Sequence, residues 1–242
     1  LKKEVVLGTS LVDMYAKFGM LTKAQKVLKE LLVRDIISWN SLIAGYVQQG
    51  QCNEAFKCLE QVKREGFSPN AITFIYILQA CCIAGAFDKG KQTHEEIMNS
   101  HLMETNIALG NALVDMYAKC GLLTKARHVL EELPSRDVIS WNSLIAGYSE
   151  CGYAKEALKC SEQMQSVGIM PTDVTILCSL KSCSSVGALD RGHNIHADIE
   201  KKGLLEKDIM VGSTVVDMYA KCGSLRAAHK VFNQLPVRDV VL

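Results

Sequence analysis

Val12-Asp13-Met14-Tyr15-Ala16-Lys17 returns as Val114 to Lys119 and again as Val216 to Lys221, 102 residues later each time. Trp39-Asn40-Ser41-Leu42-Ile43-Ala44-Gly45-Tyr46 returns at the same offset, as Trp141 to Tyr148. Self-similarity at a fixed period marks a repeat architecture, in which neighbouring units bury what no unit can bury alone. A finer beat lies inside the long one. Gly19, Gly50, Gly85, Gly121, Gly152, Gly187 and Gly223 stand 31, 35, 36, 31, 35 and 36 residues apart. Helix termination explains such a beat, because glycine enters the left-handed backbone region without a Cβ penalty.

Five residues after each of these glycines comes a small residue: Ala24, Ala55, Gly90, Ala126, Ala157, Gly192 and Ala228. A second helix must approach another closely there. From the small residue the apolar positions run i, i+3, i+4, i+7, as in Ala24, Val27, Leu28, Leu31 and in Ala126, Val129, Leu130, Leu133. That spacing is one face of a helix. The helix before each glycine has its own stripe, for example Trp39, Leu42, Ile43 and Tyr46. Each unit is therefore two amphipathic helices joined by a tight turn, and helices of about a dozen residues are marginal alone in water. The expected fold is all-α, a solenoid of seven stacked helix-turn-helix hairpins.

Composition agrees with this and excludes other classes. Four Pro and 6% aromatic residues beside 48% hydrophobic ones suit neither disorder nor a β-sandwich. The 27 basic and 26 acidic residues nearly cancel, so any polyanion must be met locally. No apolar run reaches the roughly 18 residues of a membrane span, and Leu1 to Glu4 lack the layout of a signal or transit peptide. The chain reads as soluble, and its start and end in mid-pattern read as a piece of a longer protein. Ten Cys without a CxxC pair suggest a reducing compartment.

Unit lengths cycling through 31, 35 and 36 resemble the S, P and L motifs of the plant pentatricopeptide repeat (PPR) family. DMYAKCG at Asp115 to Gly121, SWNSLIAGY at Ser140 to Tyr148 and LPSRDV at Leu133 to Val138 are similar to its PLS subclass. The resemblance covers essentially the whole chain, 1–242, as one array: S 5–35, P 36–70, L 71–106, S 107–137, P 138–172, L 173–208 and S 209–239, with 240–242 opening an eighth unit. The tetratricopeptide repeat, with its uniform 34-residue period, is the rival, and the length alternation speaks against it.

The resemblance implies a right-handed superhelix that binds single-stranded RNA, one base per unit, in a mitochondrion or chloroplast. It implies recognition of a site for organellar C-to-U editing. Two residues per unit would read the base. The first lies ten residues before each turn glycine: Thr9, Asn40, Ile75, Asn111, Asn142, Leu177 and Ser213. The second ends the unit: Asp35, Asn70, Asn106, Asp137, Thr172, Asp208 and Asp239. With Ile75 and Leu177 apolar, the L units should be poor readers, so the reading pairs are Thr9–Asp35, Asn40–Asn70, Asn111–Asp137, Asn142–Thr172 and Ser213–Asp239. A carboxylate only accepts, so a terminal Asp prefers G or U, whose pairing edges present a ring N–H, whereas a terminal Asn can donate to A or C. The family pattern adds Thr or Ser for purines and Asn for pyrimidines. The implied target is 5′-G-C/U-N-U-C/U-N-G-3′.

Three residues before each first reader stand Val6, Ile37, Ile72, Ala108, Ile139, Val174 and Met210, which the resemblance places against base faces; the plainer reading is first-turn core contacts. Lys17, Lys119 and Lys221, eight residues after the S-unit readers, are placed to meet phosphate, while the P units carry Gln48 and Glu150 there. A competing reading makes the chain a protein-interaction scaffold, with the L units docking small organellar editing-factor proteins through Ile75 and Leu177.

No catalytic chemistry is legible. His94-Glu95-Glu96-Ile97-Met98 misses the H-E-x-x-H pattern at its last place. No phosphate-binding GxxxxGK[ST] loop occurs, nor the H-x-E with P-C-x-x-C deaminase signature. His94 and His196 align with Leu28 and Leu130 and read as packed core imidazoles. Cys58 and Cys160, Cys81 and Cys183, and Cys120, Cys151 and Cys222 fall at apolar places and read as small buried thiols. No metal, cofactor, catalytic residue or membrane partner is expected.

Overall fold

In the computed structural model, which describes residues 2–235, every regular element among the described residues is helical. The elements are α1 (Lys2–Lys17), α2 (Leu21–Glu30), α3 (Ile36–Gln48), α4 (Cys52–Arg64), α5 (Ala71–Ala84), α6 (Phe87–Asn99), α7 (Ile107–Lys119) and α8 (Leu123–Glu132). There follow α9 (Val138–Glu150), α10 (Ala154–Ser166), α11 (Asp173–Val186), α12 (Leu189–Lys201), the single turn α13 (Leu204–Lys207), α14 (Ile209–Lys221) and α15 (Leu225–Gln234). The all-helical hairpin repeat expected from the sequence is what forms.

The glycine beat does the work foreseen for it. All seven turn glycines have positive φ, from 60° at Gly85 to 82° at Gly152. After α3 the chain closes in a Schellman turn, with Gln51 N–H bonded to Tyr46 C=O at 2.8 Å. The unequal unit lengths have a plain origin. The second helices α2, α8 and α15 have 10 residues, whereas α4, α6, α10 and α12 have 13. The longest units add one extra turn, a 3-10 turn at Leu102–Glu104 and α13. Nothing in the periodicity announces those extra turns.

The chain forms two compact units, residues 1–120 with 128–135, and 121–127 with 136–242. In the first, α1, α3, α5 and α7 stack side by side, while α2 and α4 each pack against the first helix of their own hairpin and of the next. In the second, α9, α11 and α14 stack in the same manner, with α10 and α12 alongside. The expected stripes are the core: Leu42, Ile43, Leu144, Ile145, Leu113 and Val215 are inaccessible to solvent. Second helices of the first unit are also tied across the outside, by Lys63 to Glu96 at 2.7 Å and Lys89 to Glu60 at 2.9 Å.

Small residues lie where helices nearly touch. A Cβ added at Gly45 would sit 2.8 Å from the Ala16 Cβ and 3.1 Å from its Cα, so α1 and α3 cross backbone to backbone. At Gly110 the obstacle is the Cδ2 methyl of Leu133, on a side chain that can turn aside. We expect Gly45→Ala to destabilise the first compact unit by about 1–3 kcal/mol, because overpacking against backbone outweighs the better helix propensity of alanine. Gly110→Ala should cost less, and equal urea midpoints for the two variants would show that the α1–α3 approach is not tight.

Candidate nucleic-acid interface

From α3 onward each first helix opens with an exposed apolar residue followed at once by a buried one, whereas in α1 the matching Val6 is the fifth residue and its neighbour Leu7 is 73% exposed. Val6, Ile37, Ile72, Ile139, Val174 and Met210 are 50–66% exposed, and Ala108 is exposed as well. Their successors Ser38, Thr73, Leu109, Ser140, Thr175 and Val211 are at most 1% exposed. First-turn core contacts are therefore excluded for these seven residues. A large apolar side chain left largely in water forgoes part of the about 1.5–3 kcal/mol that full burial brings, and within each compact unit an apolar side chain, large everywhere except at Ala108, recurs at this register.

Beside this series lie the residues expected to read a base. The unit-ending residue proves to be the N-cap of the following first helix. Asp35, Asn70, Asn106 and Asp137 accept the backbone N–H three residues on, from Ser38, Thr73, Leu109 and Ser140 respectively. Asp208 accepts from Met210 N–H at 2.8 Å. Ser38, Thr73 and Ser140 return a bond to the cap, completing capping boxes, and Thr175 accepts the Thr172 N–H at 3.1 Å. The D-x-x-S and N-x-x-T spacing is a recognisable start signal, and it accounts for the Asp, Asn or Thr at each unit end before any ligand is considered. Asp239 lies outside the described residues.

In both 35-residue units the two expected readers meet. Asn40 Nδ2 donates to Asn70 Oδ1 at 3.1 Å, and Asn142 Nδ2 donates to Thr172 Oγ1 at 2.8 Å. The first readers are sheltered: Asn40 and Asn111 are each 6% exposed, while Asn142 and Thr9 are half-buried. The unit-end residues are more open, Asn70 half-buried and Thr172 exposed. The Thr9 hydroxyl is buried without a protein partner among the described residues, and the Ser213 hydroxyl donates back to Ile209 C=O at 2.8 Å. Ile75 and Leu177 are half-buried.

The three lysines are exposed but not idle. Lys17 bonds Asp13 at 2.7 Å, Lys119 bonds Asp115 at 2.8 Å and Lys221 bonds Asp217 at 2.8 Å, each one helical turn back. The hydrogen bond to Asp13, then its charge, holds the Lys17 ammonium above its ordinary pKa. These cations come already partnered, a pairing that the sequence reading passed over.

The constellations set aside stay structural. His94 Nδ1 lies 2.9 Å from the Tyr117 hydroxyl, and His193 and His196 both place Nδ1 2.9 Å from the Tyr219 hydroxyl. Burial holds His196 below its usual pKa. His94 and His196 are half-buried at the hairpin junction and not sealed in a core. Burial pushes the Cys58 and Cys81 thiols up to about 12, making them poor nucleophiles. Cys151 is a correction, since it is exposed; it caps α9 just ahead of Gly152, where the side chain points away from the stack. Among the described residues no cluster of three or more His, Cys, Asp or Glu could hold a metal, and no helix is long and apolar enough to cross a membrane.

Stacked hairpins bearing this recurrent surface define a helical repeat protein. The PPR repeat family matches residues 34–83 and 136–185, and the PPR repeat itself residues 9–36, 111–138 and 213–240. The chain belongs to the PPR family. It is 38% identical over its full length to a chloroplastic pentatricopeptide repeat-containing protein of Arabidopsis thaliana, covering 39% of that protein. It is 35% identical, again over its full length, to a mitochondrial one of the same plant, covering 23%. The chain thus spans about two fifths or less of the length of these relatives. Crystal structures of the pentatricopeptide repeat protein PPR10 in complex with an 18-nt psaJ RNA element superpose with a TM-score of 0.78 at 19% identity, over all of this chain and 36% of that one. The same helical repeat fold is shared.

Capping makes a further expectation concrete. Asp35→Ala should cost about 1 kcal/mol of stability, and Asp35→Asn only a few tenths, since both Asp and Asn cap well. Thermal unfolding of the two variants side by side checks this, and equal losses would show that the Asp35 carboxylate is not the cap.

Proposed function

We propose that this chain is an RNA-binding PPR array of the PLS subclass, reading single-stranded RNA with one base per unit along the start of its first helices. The units are those bounded at 35, 70, 106, 137, 172, 208 and 239. The observation that carries the reading is the exposed apolar side chain near the start of each first helix, beside which, in both 35-residue units, a polar pair drawn from the two ends of the unit meets. Flat bases need such a combination, because stacking against apolar side chains tolerates any base while hydrogen bonds on the pairing edge choose among them.

In this reading the readers are Thr9 with Asp35, Asn40 with Asn70, Asn111 with Asp137, Asn142 with Thr172, and Ser213 with Asp239. The bases lie against Val6, Ile37, Ile72, Ala108, Ile139, Val174 and Met210. Capping spends one terminal atom of the Asp and Asn unit-end side chains, and base choice falls to the other. Thr172 has a single hydroxyl for both tasks, which makes the fifth unit the loosest of the polar readers. The target remains 5′-G-C/U-N-U-C/U-N-G-3′, read in chain order. Lys17, Lys119 and Lys221 meet phosphate only by sharing their charge with Asp13, Asp115 and Asp217.

Chloroplastic and mitochondrial relatives of the same family, and the PPR10 complex with RNA, support an organellar RNA-binding role. Selection of a site for C-to-U editing fits the S, P and L alternation of lengths. The longer protein's other activities and partners, including small editing-factor proteins at the L units, belong to the same proposal. A protein scaffold is the competing reading, with the half-buried Ile75 and Leu177 as its docking residues.

Filter binding of the 242-residue chain to the seven-nucleotide string and to its scrambled version tests the assignment. The string should bind tighter, Asn111→Ala should lower affinity or base choice, and equal binding of the two RNAs would remove the code. With three partnered lysines, log affinity should fall against log salt with a slope shallower than about −5.

A further inference from the structure

The third residue of each first helix from α3 onward is buried whatever its type, and its chemistry follows that of the first reader in the preceding unit. After Asn40 and Asn142 come Thr73 and Thr175; after Ile75 and Leu177 come Leu109 and Val211. In the second compact unit the apolar match lies within one core, since Leu177 packs against the cluster that contains Val211.

The threonines act directly on the readers. A hydroxyl has one proton to give. Thr73 Oγ1 lies 2.7 Å from Asn40 Oδ1 and 3.1 Å from Asn70 Oδ1, and the shorter contact takes the proton. Asn70 Oδ1 is then supplied from two other sides, by Thr73 N–H at 3.0 Å and by Asn40 Nδ2 at 3.1 Å. A carboxamide has acceptors only on its oxygen and donors only on its nitrogen. A hydroxyl proton aimed at Oδ1 therefore decides which end of the Asn40 amide faces which way.

The fifth unit reaches the same result with different side chains. Asn142 Nδ2 donates to Thr172 Oγ1 at 2.8 Å, Thr172 and Thr175 hydroxyls lie 3.3 Å apart, and Thr175 Oγ1 donates to Asn142 Oδ1 at 2.5 Å. This ring of three bonds runs in one direction only, because Asn142 Oδ1 can only accept. Ser38, at the matching place after Thr9, behaves otherwise. Its hydroxyl donates to the Asp35 backbone C=O at 2.8 Å and accepts the Asp35 N–H at 3.2 Å, which is capping alone.

The geometry points to Thr73 and Thr175 as positioning residues for base choice, holding the amides of Asn40 and Asn142 so that each offers its remaining N–H, a donor, to the base. An amide without that hydroxyl presents either end and discriminates less. This inference rests on the RNA-reading role proposed above, and it adds residues outside the two-reader pairs.

The test uses the 242-residue chain and four RNAs that differ only at the second place of the string, with a matching set for the fifth place. Thr73→Val keeps the side-chain shape and removes the hydroxyl. The ratio of pyrimidine to purine affinity at the second place should fall about two- to tenfold, the range set by one net hydrogen bond, while the fifth-place ratio holds. Thr73→Ser should restore the second-place ratio, and Thr175→Val should give the mirror image. Ser38→Ala, which removes a capping hydroxyl without touching a reader, should leave both ratios unchanged. An unchanged second-place ratio in Thr73→Val, or equal loss at both places in either variant, overturns the inference. No base preference in the unaltered chain overturns the RNA-reading role, and the inference with it. Should Thr73→Val lose its helical circular dichroism, Thr175→Val in the other compact unit decides the matter alone.

Discussion

The N-cap of each first helix belongs to the unit before it, and much of the structure hangs on that bond. Asp35, Asn70, Asn106, Asp137, Thr172 and Asp208 each stand where one unit ends and the next helix begins. The opening N–H groups of a helix have no partner inside it, so the preceding unit supplies one. The same bond fixes the rotamer of the unit-end side chain and brings it beside the first reader. In the two 35-residue units this produces Asn40 against Asn70 and Asn142 against Thr172. Stability and the proposed recognition thus share atoms, and a unit-end residue is confined to the few side chains able to cap.

Packing supplies the spacing within each compact unit. Alanine or glycine at the closest approaches lets first helices lie nearly backbone to backbone, as Ala16 and Gly45 do. In the 36-residue units the second helix carries Gly90 or Gly192 instead, facing Met116 or Met218 on the next first helix. Those contacts hold neighbouring first helices at a short, regular separation, which brings the first-turn residues of neighbouring units into one series.

Charge contributes little to the proposed recognition. The chain is close to neutral, and the lysines nearest the readers are each paired with an aspartate one turn away. Exposed ion pairs of this kind are weak because water screens them, so a phosphate can compete for the lysine. In the proposed role, affinity comes from the exposed apolar residues and from hydrogen bonds to base edges, and the Thr73 and Thr175 hydroxyls, which donate to the amide oxygens of Asn40 and Asn142, fix the direction of those amides.

The repeat, its period, the turn glycines, the small residues and both apolar stripes were determined by the sequence alone, because helical periodicity and left-handed turns depend on local chemistry. The reader positions followed from the same ruler. The N-caps too are written in the sequence, as Asp35-x-x-Ser38 and Asn70-x-x-Thr73. Only the tertiary structure decided which apolar residues stay in water. Ile37 and Ser38 invert the usual rule, the first exposed and the second sealed, because neighbouring helices cover one side of the first turn and leave the other bare. It also decided that Asn40 and Asn70 meet across 30 residues, that the Thr73 hydroxyl donates to the first of them, and that Lys17 is already taken by Asp13. Distances between side chains from different helices arise from stacking, and one-dimensional spacing does not contain them.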